Sequence, residues 1–73
     1  MMIEKKGDSI ILSLNKDFYN DTAIDSVMRN FAEVCEIERE DSDGYYIVHL
    51  NGEGAEEIAL EFANHVLALM KVV

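Results

Sequence analysis

Cys35, His49 and His65 are the side chains in this sequence best suited to nucleophilic or metal-bound chemistry. A cysteine nucleophile needs a base within reach and an electropositive setting that favours the thiolate. Glutamates surround Cys35 instead, at Glu33, Glu36 and Glu38. His49 and His65 are not at a metal-ligand spacing from each other, and the single cysteine excludes an internal disulfide and any multi-cysteine metal site. Asp41-Ser42-Asp43-Gly44 has part of a calcium-loop pattern without its terminal bidentate glutamate, and a hairpin turn explains the same residues. Glu36, Glu38 and Glu40 alternate along the chain and could take a cation or a basic peptide. Such a row also serves as a solvated strand face or as a guard against edge-to-edge pairing. There is neither a phosphate-cradling glycine loop nor a Ser/His/Asp set. The expectation is a protein that is not an enzyme and uses no cofactor or metal.

A function in binding has to be compatible with the charge. The chain has 73 residues, with 15 acidic and 6 basic side chains and a formal net charge of -9. Nucleic acids and anionic membranes are bound by neutralising phosphates with lysine and arginine, so both are disfavoured partners. A basic protein or peptide would be attracted. The hydrophobic fraction of 49% is too high for a disordered chain. No apolar run approaches the roughly 20 residues of a membrane span, and Met1 to Lys6 has no apolar run of a signal peptide. A lone thiol fits a reducing compartment. These features lead to the expectation of one soluble, cytoplasmic domain over residues 1–73, with residues 1–8 as a flexible lead.

The elements that would position these residues follow from periodicity. Ser9 to Leu14 is short and rich in branched residues, and reads as a strand entered by a turn at Gly7-Asp8. Asn20-Asp21 is a helix start, and Ile24, Val27, Met28 and Phe31 recur at helical spacing over about 13 residues. From Val34 the period becomes two: Cys35, Ile37 and Arg39 point one way, and Glu36, Glu38 and Glu40 the other. Tyr45 to Leu50 is a third strand, apolar enough on both faces to be central. A last helix runs from about Ala55 to Lys71 with a stripe of Ile58, Ala59, Phe62, Ala63, Val66, Leu67 and Met70. The expected fold is α+β: β-α-β-β-α, a three-stranded sheet in the order 1-3-2 with a right-handed crossover and two helices on one face. It resembles a ferredoxin-like fold truncated by its last strand.

Such a fold leaves one sheet face and two strand edges for binding. Tyr45, Ile47 and His49 beside Glu36 and Glu38 form the first candidate interaction surface, and the apolar end at Leu69 and Val72 forms a second. Either surface could dock a peptide or protein partner, or bury itself in a homodimer.

The order of residues also resembles the HxsD family, the small D protein of the His-Xaa-Ser peptide-modification system. The likeness spans about residues 9 to 70. It is carried by Tyr19, Ala23 and Ile24 at the first helix and by Glu61, Phe62, Asn64 and Leu67 in the last. Asn20 stands where that family usually has a serine cap, and Asp21-Thr22 replaces a Leu-Glu pair. These are core and cap positions, which specify a fold more than an activity. The resemblance implies a non-catalytic accessory protein that docks a peptide or a radical SAM maturation enzyme. A self-associating structural domain with no dedicated ligand is the alternative.

Overall fold

Gly7 and Asp8 connect two strands rather than leading into one. The computed structural model describes residues 1–71, and in it β1 (Met2–Lys6) and β2 (Ser9–Asn15) form an antiparallel hairpin with Lys6 opposite Ser9. A two-residue loop of this kind requires a positive φ at its first position, and Gly7 supplies it at +59°. The chain then continues through α1 (Asp21–Phe31), β3 (Glu36–Ser42), β4 (Tyr45–Asn51) and α2 (Ala55–Met70).

The expected three-stranded sheet is thus corrected to four strands, antiparallel throughout, in the order β1-β2-β4-β3. The element order is β-β-α-β-β-α, not β-α-β-β-α. The truncated ferredoxin-like description falls with it, because β1 occupies the edge beside β2. Residues 1–8, expected as a flexible lead, hold β1 and the turn that joins it to β2. Their sequence hides the strand because every residue of β1 is exposed, so burial imposes no alternation on Met-Ile-Glu-Lys-Lys.

Paired residues of an antiparallel sheet share a face. Ile10, Leu12 and Leu14 of β2 therefore line up with Leu50, Val48 and Tyr46 of β4, and Leu50 and Val48 in turn with Ile37 and Arg39 of β3. Both helices cover this face. Ala23, Ile24, Val27 and Phe31 of α1 join Ala55, Ala59, Phe62 and Val66 of α2 in one buried cluster with the strand residues. The Phe31 and Phe62 rings meet edge to face at 5.7 Å. Each fully buried aliphatic or aromatic side chain here contributes roughly 1.5–3 kcal/mol of transfer free energy.

Each helix begins differently. Asn20 caps α1, its side-chain oxygen accepting from the Ala23 amide at 3.1 Å. α2 starts after Gly54, at φ +77°, with no side-chain cap; Glu56 and Glu57 place negative charge at its positive end instead. Replacing Asn20 with alanine is expected to cost about 1 kcal/mol in urea unfolding, and serine at the same position to recover most of it. Equal stability of the three proteins would show that the cap is energetically idle.

Candidate functional site: the helix-free face of the sheet

The alternation that sends Ile10, Leu12 and Val48 into the core sends their neighbours the other way. Three rows cross the outer face: Met2–Ser13–Ile47–Glu40, Glu4–Ile11–His49–Glu38 and Lys6–Ser9–Asn51–Glu36. Among the described residues no helix or loop covers them, since both helices pack on the opposite face. Ile11, Ile47 and His49 are half-buried between neighbouring strands, whereas Met2 and the β3 glutamates are exposed. At one end Tyr45 opposes Asn15 and Ser42. Phe18, 72% exposed, belongs to the same end, because the Asn15 carbonyl accepts from its amide and Lys16 donates to the Gly44 carbonyl at 2.9 Å.

The polar groups of this face are partly tied to one another. His49 Nε2 lies 2.9 Å from Glu40 Oε1, an ion pair when the ring is protonated. Ser9 Oγ donates to Asn51 Oδ1 at 2.5 Å, and Lys6 Nζ is 3.6 Å from Glu4. Glu36 and Glu38, in the edge strand β3, make no ion pair with a described residue. The charge of the face is accordingly mixed on the β1 side and uniformly negative on the β3 side.

Of the residues expected to form an interaction surface, Tyr45, Ile47, His49, Glu36 and Glu38 come together on this face. Leu69, expected in the separate second patch, lies on α2 on the other side of the sheet, lining a shallow hollow with Asn20, Thr22, Ala23, Ser26, Arg29 and Met70. Val72 lies outside the described residues. Ile11, Met2 and Glu4 belong to the surface but were absent from the sequence reading. The signal for Ile11 was the Ser-Ile-Ile-Leu-Ser-Leu run, where one branched residue falls out of phase with Ile10, Leu12 and Leu14.

Cys35, His49 and His65 are not brought together. Cys35 packs against the core and its thiol donates to the Asn51 carbonyl at 3.2 Å. Burial, and then the charge of Glu36, push that thiol above its ordinary pKa, while the hydrogen bond to Asn51 opposes them. This is the reverse of what a nucleophile needs. His65 meets the Phe31 ring edge to face at 5.1 Å between the helices, and His49 is on the other side of the sheet. Among the described residues no group of His, Cys, Asp or Glu side chains is placed to hold a metal ion, and no helix is long and apolar enough to cross a membrane.

Compared with protein-family models, with curated proteins and with solved structures, the chain matches none.

Proposed function

We propose that this protein is a non-catalytic accessory module that docks a basic, extended peptide segment on the helix-free face of its sheet. The observation that carries this reading is the composition of that face. Ile11, Ile47 and Tyr45 offer apolar contact, and Glu36, Glu38 and Glu40 border them on one side with unbroken negative charge. Apolar anchors supply affinity, while complementary charge fixes orientation and speeds encounter. The likeness to the HxsD family supports the same role and gives it a setting, beside a radical SAM enzyme that modifies a peptide. A cytoplasmic location goes with that reading.

Titration with a peptide alternating lysine or arginine with apolar residues is expected to shift the amide resonances of β3 and β4. Glu38→Lys with Glu40→Lys should weaken binding at least roughly tenfold, since like charges then face each other. Affinity recovery from native extract should bring down a radical SAM enzyme. Resonances that stay still at millimolar peptide, with no enzyme recovered, would sink the proposal.

A further inference from the structure

We propose that a second surface, the β1 edge with the flank of α2 above it, is the interface of a homodimer. Glu56, Leu60 and Leu67 are spaced along one flank of α2, and the Lys5 Nζ–Glu56 Oε2 pair at 3.2 Å fixes that flank on the β1 side. Ile3 is on the same face of β1 as Lys5, opposite the buried Leu12. α2 follows β4, which runs parallel to β1 because each is antiparallel to β2. It therefore returns from Glu56 towards Ile3. Along this line Ile3 is 42% exposed, Leu60 49% and Leu67 38%. They form an apolar strip beside a strand whose outer backbone groups have no partner strand among the described residues.

Charge selects the occupant. The other edge, β3, is lined by Glu36, Glu38, Glu40 and Asp41 and repels its own copy. β1 has Glu4 beside Lys5 and Lys6, so two copies meet with both signs on each side. A basic peptide is drawn to the β3 side; the β1 edge suits an identical strand. A two-fold axis normal to the sheet would join two four-stranded sheets edge to edge and set the Ile3, Leu60 and Leu67 strips against each other. The outer face of the sheet and Leu69 are not used, so this inference does not depend on the peptide-docking reading.

Sedimentation of the full chain from micromolar to hundreds of micromolar concentration, near physiological salt, tests it. The wild type should self-associate. Leu60→Glu with Leu67→Glu should weaken association at least roughly tenfold by forcing carboxylates into the seam. Glu38→Gln, on the other edge, should leave it unchanged. Both substituted leucines are exposed, and an unaltered far-ultraviolet spectrum will confirm folding. Independently of any variant, hydrogen exchange of β1 amides should slow as protein concentration rises. A wild-type monomer throughout, with β1 exchange independent of concentration, overturns the proposal. A dimer unaffected by the leucine changes does the same, as does a monomer that adds a foreign extended peptide along β1.

Discussion

Phe62→Ala is expected to cost about 3–5 kcal/mol, the usual range for truncating a buried aromatic residue. Phe62 is fully buried in α2 and is held edge to face by Phe31 of α1. It is the largest fully buried side chain, and the helices that flank it close over a single sheet face. Small domains have the thinnest margin, with net stabilities at or below the lower part of the roughly 5–15 kcal/mol range. The alanine variant should therefore sit near its unfolding threshold. Its thermal transition should lose cooperativity, with far-ultraviolet ellipticity declining gradually. Phe62→Leu refills most of the volume and should keep a cooperative transition at a lower midpoint. If alanine shifted the unfolding free energy by less than about 1 kcal/mol, the cluster would have to collapse around the gap far more completely than close-packed interiors do.

The parts of this fold that were legible in the sequence are those where burial imposes a period. Ile24, Val27 and Phe31, and then Ala59, Phe62 and Val66, repeat at helical spacing because each helix buries one stripe. The β3 alternation was legible because Ile37 and Arg39 turn towards the helices while Glu36, Glu38 and Glu40 face solvent. β1 was hidden for the converse reason: a strand exposed at every position needs no pattern, and its pairing is fixed by the Gly7-Asp8 turn and by β2. The presence of β1 changes the candidate site too. With β1 present, β2 is an interior strand, Ile11 lies mid-sheet, and Met2, Glu4 and Lys6 extend the outer face. The grouping of Tyr45, Ile47 and His49 with the glutamates needed only the alternation of β3 and β4 and their joining turn.

Arg39→Met is expected to cost about 1–3 kcal/mol at neutral pH, from lost charge-assisted hydrogen bonds and ring stacking. Arg39 stands on the helix side of β3, opposite Val48, with its side chain only 15% exposed. Its Nη1 approaches Asp21 at 2.5 Å and Asp25 at 2.6 Å on α1, its Nε approaches Asp41 at 3.0 Å, and its guanidinium stacks 4.8 Å from the Tyr46 ring. Methionine keeps much of the apolar stem but leaves those carboxylates facing one another in a chain of formal charge -9. The hydrogen bond from Arg39, more than any other influence, holds the Asp41 carboxyl below its ordinary pKa. A depressed carboxyl stabilises the fold fully above its unfolded value, near pH ~4, and that contribution is lost as pH falls through the lowered one. Arg39 itself, raised by the Asp41 hydrogen bond first, stays charged throughout. The advantage of the wild type over Arg39→Met in urea unfolding should therefore be largest at neutral pH and shrink on acidification below about pH 4. A gap that does not change between neutral and acid conditions would mean that Arg39 acts through its stem alone. The geometry argues otherwise, because this one guanidinium ties the first turns of α1 to β3. With Arg39 pinned inward, strand alternation keeps Glu38 and Glu40 on the outer face, where the proposed partner would meet them.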